Sequence, residues 1–496
     1  MDLTNIGIWV ALVVIWIATV LAKMAMTRRM TRDHPVSNRP HPPVVSGFFL
    51  LNPLRVLLTK GVKAMTHEQH RALGSVFTLS FFGVNITFLV GPEVLDHFFQ
   101  GSESEISHCN VFEFMVPILG KGVGFGADIT TRTEQMRFHN DALKRPKIRN
   151  YIGAMLQEVE EYLAKWGQHG TVDIKHEMEQ LVLLISSRCL LGKEIREKML
   201  DEAHTLFRDL SGGMSLTSVL FPYAPTPTNR RRDAARAKLA KMFTEIVKSR
   251  RRGSSAGHHV QEDDVLQNLI DSKYKDGRPT TEAEVTGLII MLLFGANNTS
   301  SVTSTWTGAC LLSHGRWLAA AAEEQREIAR RYGDRRRIDH DALLEMDTLH
   351  RCVKEALRMH PVIPVFFRKL LRGFTLRTKE GIEYEIPGGH HLASPALFNS
   401  RLPYVYRDPN VYDPDRFGPQ RQEDKAGGRF SFTAFGGGRH SCVGEAYAYM
   451  QIKVIWSYLL RNFELKLVSP FPDTDWSKLV PSPKGNVMVS YKRVPA

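Results

Sequence analysis

The stretch FGGGRHSCVGE places one cysteine, Cys442, among four glycines and a histidine. Glycine lets a backbone turn where a Cβ would clash, or approach a flat ligand closely. A cysteine held in this way could act as a nucleophile, as a redox thiol or as one ligand of a metal ion. The stretch by itself leaves all three chemistries open.

The other cysteines narrow the choice only slightly. The 496-residue chain has five cysteines, widely scattered and without a C-x-x-C pair. This excludes a zinc ribbon and a dense disulfide framework, and it fits a reducing compartment. Cys442 therefore needs an explanation of its own.

Three further stretches contain groups that could support such a site. Glu355 and Arg358 are spaced E-x-x-R, so that a carboxylate and a guanidinium can meet on one helix face. Arg416 follows two aspartates and a proline in YDPDRF. In LLFGANNTSSVTSTW an apolar helix turns polar at Asn297. Polar groups inside so apolar a helix indicate a ligand or ordered water.

These stretches, taken together and in this order, resemble cytochrome P-450. The resemblance extends from the N-terminal apolar segment to about Tyr491. Its core is the pattern F-x-x-G-x-H-x-C-x-G, here formed by Phe435, Gly438, His440, Cys442 and Gly444. The resemblance implies a haem b cofactor, with Cys442 as the axial thiolate and the glycines allowing the loop to approach the porphyrin.

The resemblance also implies roles for residues outside the loop. His440 and Arg368 are expected to contact a haem propionate. Glu355, Arg358 and Arg416 are expected to lock the fold. Electrons would come from NADPH through NADPH–cytochrome P-450 reductase, with O2 as the oxidant. The expected location is the endoplasmic reticulum membrane.

His440 and several long stretches, among them SRCLLG and DSKYKDGRPTTEAEVTG, are similar to the plant sterol 14α-demethylases. That family usually reads F-A-G-Q-H-T-S in the distal helix, whereas this chain reads FGANNTS from Phe294. A titrating histidine is thus replaced by Asn298, whose amide can position water but cannot titrate near neutrality. Thr299 is retained, and Thr299 and Asn298 are the expected catalytic pair.

Further departures fall where substrate choice is decided. Phe112 replaces a tyrosine typical of the family, and two prolines stiffen the turn after Leu479. The departures resemble a divergent cereal branch that acts on β-amyrin-type triterpenes. The expected substrate contacts are Phe112, Met115, Phe125, Phe294, Gly295, Val365, Phe366 and Pro481.

The sequence expectation is therefore a monooxygenase that hydroxylates a β-amyrin-type triterpene in saponin biosynthesis, with epoxidation as an additional reaction. The alternative is 14α-demethylation of the sterol obtusifoliol. A second alternative is a catalytically silent sterol-binding haem protein, which the intact Cys442 and Thr299 disfavour.

The N-terminus predicts a membrane anchor. Ile6–Ala22 contains 17 uncharged residues, near the lower limit for a spanning helix. A cleaved signal peptide is the alternative, but Asp2 precedes the apolar run and the basic residues follow it from Lys23. Positive charge stays in the cytosol, so a single-pass anchor with a cytosolic catalytic domain is expected.

The remaining pattern predicts a mainly α fold with a small β subdomain. Residues 1–22 form the anchor, 23–50 a basic proline-rich linker, and 51–496 a single haem domain. SVFTLSFFGVNITFLVGPE predicts a hairpin, and helices dominate from Glu134 to about Arg358. SRRRGSSAGHHVQEDD, from Ser249, predicts a flexible break, and short strands are expected between Phe366 and Leu392.

The net charge of +13 is partly local, in RRRDAARAKLAK from Arg230, in KSRRRG from Lys248 and in KRPKIR from Lys144. No nucleic-acid-binding module or interleaved aromatic pattern accompanies these stretches. Solvated helix faces explain them most simply. A docking face for an acidic partner protein or for anionic membrane lipid is the alternative.

Overall fold

A computed structural model describes residues 39–81, 83–108, 111–255, 264–333, 338–476 and 480–495. The predicted anchor and most of the predicted linker lie outside these residues. The expected mainly α fold with a small β portion is confirmed.

Helices dominate the described residues. In chain order they are α1 Leu51–Leu73, α2 Asp96–Gln100, α3 Val116–Leu119, α4 Ile129–Ala142, α5 Arg145–Leu163, α6 Ile174–Ser186, α7 Lys193–Lys198, α8 Leu200–Ser211, α9 Leu216–Leu220, α10 Pro227–Ser255, α11 Val265–Asp271, α12 Glu282–Ser313, α13 Gly315–Tyr332, α14 His340–Glu345, α15 Asp347–Met359, α16 Ala396–Asn399, α17 Glu423–Ala426 and α18 Glu445–Asn462.

The strands are short. They are β1 Val44–Ser46, β2 Val76–Phe81, β3 Val84–Leu89, β4 Ile106–Ser107, β5 His169–Asp173, β6 Phe366–Leu370, β7 Phe374–Arg377, β8 Glu383–Ile386, β9 His391–Ser394, β10 Phe463–Leu467, β11 Thr474–Asp475, β12 Ser482–Pro483 and β13 Met488–Arg493.

The chain divides into two compact units. The first combines the described residues up to Val111 with Val365–Leu402 and Gly427–Ser431. It is built on a six-stranded sheet of order β1-β2-β3-β9-β6-β4. Strands β2 and β3 are antiparallel, with Val76 opposite Leu89, which confirms the predicted hairpin.

The second unit contains α3–α15, α17 and α18. Helix α12 packs against α6, α10, α15 and α18. Where α12 meets α18, a Cβ on Gly308 would lie 2.3 Å from the ring of Trp456, so only glycine allows this approach. The Trp456 indole N–H donates to the Ser304 hydroxyl at 3.0 Å, which fixes the register of the two helices.

Helix α12 is long and apolar enough to cross a membrane, the one such helix among the described residues, but 56% of its apolar window is buried within the protein. Its start is fixed by a capping box. The backbone N–H of Glu284 donates to the Thr281 hydroxyl at 3.2 Å, and the Thr281 N–H donates to the Glu284 carboxylate at 2.7 Å. Helix α12 is therefore a core helix of the second unit.

Two boundary predictions were wrong. Val44–Ser46, assigned to the linker, form β1 and pair in parallel with β2. Helix α10 continues to Ser255, through the first part of the predicted break. The reason is Arg250, whose Nη2 lies 2.6 Å from the Glu194 carboxylate and 2.8 Å from that of Asp264. These ion pairs hold the last turns of the helix in place.

Candidate active site

The loop before α18 presents Cys442. The backbone N–H of Cys442 donates to the carbonyl of Phe435 at 2.8 Å, which closes the loop on itself. Gly436 and Gly438 have φ of +72° and +61°, in the left-handed region that favours glycine. A Cβ on Gly436 would also lie only 3.2 Å from the carbonyl oxygen of His440. Gly436 and Gly438 are thus required by the turn.

The Cys442 side chain is accessible, whereas Cys189, Cys310 and Cys352 are buried. Nearby protein atoms still exclude enough water to raise the pKa of the Cys442 thiol. A hydrogen bond from the Gly444 N–H opposes that rise. A bound metal cation would remove the proton outright. Among the described cysteines, Cys442 is therefore the one that a large metal-bearing ligand can reach, which fits haem.

A buried ion network lies in the same unit. Glu355 accepts from Arg358 Nε at 2.7 Å and Nη2 at 2.8 Å, and from Arg416 Nε at 2.9 Å. All three side chains are 0% exposed. The guanidinium groups also donate at 2.8 Å to the carbonyls of Pro409 and Arg407. The three residues expected to lock the fold are thus brought together.

The sequence did not reveal the second carboxylate of this network. Glu423, in α17, accepts from Arg416 Nη1 at 2.5 Å and from Arg421 Nε at 2.9 Å. One buried glutamate cannot neutralise two guanidinium groups, so a second carboxylate was to be expected somewhere. No motif marks its position, because α17 is a single short turn in a loop.

The polar segment of α12, residues 295–299, borders open space. Gly295 and Asn298 are exposed in a helix whose neighbouring turns are buried, and a Cβ on Gly295 would meet nothing within 4 Å. The Thr299 hydroxyl donates to the carbonyl of Gly295, within its own helix. Asn297 Oδ1 is buried without a partner in the described part of the chain. The segment therefore faces space that a ligand could occupy.

A recess lined by both polar and apolar side chains adjoins this segment. Its volume is about 300 Å³, and its polar lining consists of Glu179, Ser211, Ser215, Asn298, Ser301 and Ser482. Ser482 is 3% exposed, and its hydroxyl has no partner among the described residues. A cavity needs only about 10–15 Å³ of such space to hold one water molecule, so the recess has room for several. The recess suits the water-organising role expected of Asn298.

Three of the expected substrate contacts of the second unit, Phe112, Phe125 and Phe294, are aromatic and partly buried. The ring of Phe112 stacks on that of Phe125, with centroids 4.8 Å apart and planes 18° apart. The ring of Phe294 lies 6.4 Å from that of Phe207. Met115 packs against the core of the unit. Pro481 is buried directly before β12, whereas Leu479 lies outside the described residues.

The remaining expected contacts belong to the first unit. Arg368 is 3% exposed, and burial lowers the pKa of its guanidinium to about 10. Its Nη1 donates to the carbonyl of Phe367 at 2.8 Å, but its buried Nε has no partner among the described residues. A buried cation with a spare donor fits an acidic ligand group. Val365 is partly buried, and Phe366 packs against Phe99 with ring centroids 6.0 Å apart.

These features agree with a comparison against known families. A model described as cytochrome P450 matches residues 40–489. The chain belongs to the cytochrome P450 family. This P450 is therefore a monooxygenase of a family that uses haem iron, O2 and electrons derived from NADPH.

Individual relatives are close. An obtusifoliol 14-alpha demethylase of Sorghum bicolor is 53% identical over 91% of this chain and 90% of its own length. A sterol 14-demethylase of Arabidopsis thaliana is 50% identical over 91% of each chain. Among solved structures, retinoic acid bound cyanobacterial CYP120A1 has a TM-score of 0.78 at 21% identity, covering 92% of this chain and 100% of that one. The structural likeness supports the P450 fold.

Proposed function

We propose that this P450 is a sterol 14α-demethylase acting on obtusifoliol. The similarity to the sorghum relative of that name carries the proposal, because 53% identity extends over nearly all of both chains. Sequence reasoning ranked this activity second, behind oxidation of a triterpene. The extent of the similarity outweighs the few pocket departures on which that ranking depended.

Cys442 is the proposed iron ligand. Its sulfur is accessible. Burial by nearby atoms raises the pKa of the thiol and the Gly444 N–H opposes that rise, so the bound metal cation would supply most of the stabilisation of the thiolate. Arg368, with its spare buried Nε, is proposed to hold a haem propionate, together with His440. Phe435, Gly438 and Gly444 shape the loop around the sulfur. Haem bound there supplies oxygen activation, and the rest of the chemistry falls to the protein.

Thr299 and Asn298 are proposed to organise the protons. The Thr299 hydroxyl already donates to Gly295, so its lone pairs remain available to accept a hydrogen bond from water. The Asn298 amide can both donate and accept, and it lines the recess described above. We propose that water held there connects Asn298 with Thr299, the next residue of α12. The Asn298 amide itself does not titrate near neutral pH.

A second candidate is oxidation of a β-amyrin-type triterpene, with hydroxylation as the main reaction and epoxidation as an additional one. It is favoured by Phe112, which stacks on Phe125 and offers no hydroxyl where related demethylases carry a tyrosine. The presence of Asn298 in place of the family's histidine also favours this second candidate. A shift of about 1 Å in the position of a rigid polycycle can cost roughly 100-fold in rate, so small changes beside a substrate can redirect the reaction.

Yeast lacking its own sterol 14-demethylase separates the candidates. The full chain is expressed with a plant NADPH–cytochrome P450 reductase, with obtusifoliol or β-amyrin supplied by the strain. Restored growth together with loss of the 14α-methyl group from obtusifoliol supports the first candidate. Oxidised β-amyrin without rescue supports the second. Protein that shows the thiolate spectrum but oxidises neither compound would favour the silent haem protein. Cys442→Ala is the matched control.

The N-terminal segment is proposed as a single-pass endoplasmic reticulum anchor, with the haem domain in the cytosol beside the reductase. Deletion of residues 1–22 should release a haem-loaded protein from membranes, because the buried hydrophobic core of the described residues begins at Leu50 and a domain with its own core can fold alone. Loss of haem after this deletion, with the variant still expressed, would contradict the proposal.

A further inference from the structure

A further cavity lies at the end of α18 that is remote from the Cys442 loop. Helix α18 starts at Glu445, just after that loop, and its 18 residues span about 27 Å at a rise of 1.5 Å per residue. The last residues of α18, helices α5 and α13 and the segment after β13 border the cavity. Its volume is about 790 Å³, within the range of roughly 300–1,000 Å³ that is usual for small-molecule sites. We call it the α18 cavity.

The wall of the α18 cavity contains a buried amide with an unused donor. Gln325, on α13, is 1% exposed. Its Oε1 accepts from Arg461 Nε at 3.1 Å, whereas its Nε2 has no partner in the described part of the chain. Because a guanidinium can only donate, Arg461 fixes which end of the amide remains a donor. A buried N–H without an acceptor is costly, so a bound group that supplies an acceptor there is favoured.

The charge on this wall is mainly positive. Arg326, Arg461 and Arg493 line the cavity, together with one carboxylate among its described lining residues, Glu160. Arg326 is neutralised by Glu323 at 2.7 Å, and Glu160 is exposed, so that water screens its charge. Arg493 forms no ion pair with a described carboxylate, because its Nη2 donates to two backbone carbonyls, at 2.8 and 3.1 Å. The α18 cavity therefore attracts an anion.

The rest of the wall is largely apolar. Ala329 follows Gln325 by four residues and lies on the same face of α13. The apolar lining consists of Ala329, Ile338, Leu460, Val494 and Pro495. An inorganic anion would leave these side chains against water, and an uncharged apolar molecule would leave the charge of Arg493 uncompensated. The lining fits a molecule with an apolar body and one anionic group.

We propose that the α18 cavity binds a small organic carboxylate with an apolar body. One carboxylate oxygen accepts from Gln325 Nε2, and the negative charge lies beside Arg461 and Arg493. A carboxylate suits this wall because both of its oxygens only accept, and the wall offers an amide donor beside guanidinium groups. The inference depends neither on the substrate nor on the proposed iron ligand.

Binding of naphthoate to the full haem-loaded chain tests the proposal, with naphthol as the uncharged probe of similar shape. Equilibrium dialysis measures both probes, with the protein in phosphatidylcholine nanodiscs and empty nanodiscs as the blank. Naphthoate should bind roughly tenfold more tightly than naphthol, because hydrogen bonds to a charged group are the stronger ones. The Soret band reports occupation of the haem pocket separately, so the two sites are distinguished.

Variants of α13 provide the second arm. Gln325→Glu keeps the shape and still accepts from Arg461, but it lacks the N–H and repels a carboxylate. Naphthoate binding should therefore fall by about tenfold or more. Ala329→Leu fills the space beside Gln325 and should weaken the binding of both probes. The control Gln420→Glu adds the same charge at an exposed site outside the cavity and should bind naphthoate as the parent protein does.

Thermal unfolding shows whether each variant is folded, and Ala329→Leu decides alone if Gln325→Glu does not fold. Equal binding of naphthoate by the parent protein and by the folded α13 variants overturns the proposal. Equal binding of naphthoate and naphthol by the parent protein does the same, as does the lack of saturable binding outside the haem pocket.

Discussion

Two polar regions of the second unit differ in how their polar groups are satisfied. The network of Glu355, Arg358 and Arg416 is fully buried, and each charged group contacts an opposite charge or a carbonyl. The polar segment of α12 is the reverse. Asn298 is exposed and Asn297 Oδ1 lacks a partner among the described residues, while Thr299 bonds only to its own helix.

The difference separates a structural role from a chemical one. Buried charges are tolerated only when they are paired, so the network must form whenever the fold forms. Polar groups without protein partners keep their hydrogen-bonding capacity for water or ligand. Changes to the network should therefore cost stability, whereas changes to the α12 segment should alter the chemistry and leave the fold intact.

The largest expected effect is the loss of stability when the buried ion network is disrupted. Glu355→Ala leaves two buried guanidinium groups without their shared carboxylate, at a cost of about 3–5 kcal/mol in the free energy of unfolding. We expect failure to accumulate folded, haem-loaded protein, measured by yield and by thermal unfolding. Glu323→Ala is the control, because Glu323 pairs with Arg326 and Arg330 on the surface. If Glu355→Ala and Glu323→Ala were equally stable, the buried network would not have the structural role assigned to it.

The Cys442→Ala variant should fold normally but lack the thiolate that binds the iron. The side chain is accessible and its truncation creates no core cavity, so the unfolding temperature of the apoprotein should stay within a few degrees. The reduced CO complex should lose the red-shifted Soret band that thiolate ligation produces. Cys310→Ala, at a buried site outside the loop, should retain the band. A normal thiolate spectrum in Cys442→Ala would show that the iron ligand lies elsewhere.

Thr299→Val sharpens the comparison within one helix. Thr303 makes the same bond, from its hydroxyl to the carbonyl four residues earlier, but is buried. Thr299→Val and the control Thr303→Val should each change the free energy of unfolding by about 1 kcal/mol or less. Only Thr299→Val should lower the amount of product formed per NADPH consumed, because only that hydroxyl lies beside the open segment. Equal losses of product in both variants would mean that helix distortion is responsible.

The smallest expected effect concerns pH at the start of α12. Burial alone would raise the pKa of Glu284, but bonds from Arg278, Tyr274 and the Thr281 N–H outweigh it and lower that pKa to about 2. The resulting stability is complete above pH 4.5, the ordinary pKa, and is lost as pH falls towards 2.

Solvent screening limits this contribution to about 1 kcal/mol. Glu284→Gln should therefore be less stable than the parent protein near neutral pH, and the difference should shrink below pH 4.5. Urea unfolding across this pH range measures it. A difference that does not change with pH would show that the carboxylate charge has no part in the cap.

The sequence predicted those features that depend on neighbouring residues. Glu355 and Arg358 are three residues apart, so one helical turn brings them together whatever the rest of the chain does. The hairpin of β2 and β3 follows from alternation around a glycine turn, and the two strands pair on either side of that turn. Gly436 and Gly438 of the Cys442 loop adopt backbone angles that favour glycine, and such local requirements allow a short pattern to identify the family.

Other features required the tertiary structure. Arg250 keeps α10 helical beyond the predicted break because its partners lie on α7 and directly before α11, and no local pattern shows that pairing. β1 became a strand because β2 offered an edge. The similarity to relatives named as demethylases favours the alternative substrate, since single residue changes in a pocket show that it differs but not what it holds.

The sequence by itself predicted Cys442 as the iron ligand and determined the order of the motifs and the family, because each depends on residue types at fixed short spacings. Only the tertiary structure revealed Glu423 beside Arg416, and the recess that Glu179, Ser211 and Ser482 form around Asn298. The residues that form the ion network and the recess come from segments far apart in the chain. The physical reason is that burial and charge neutralisation are properties of packed neighbours, and chain spacing does not encode which distant segments become neighbours.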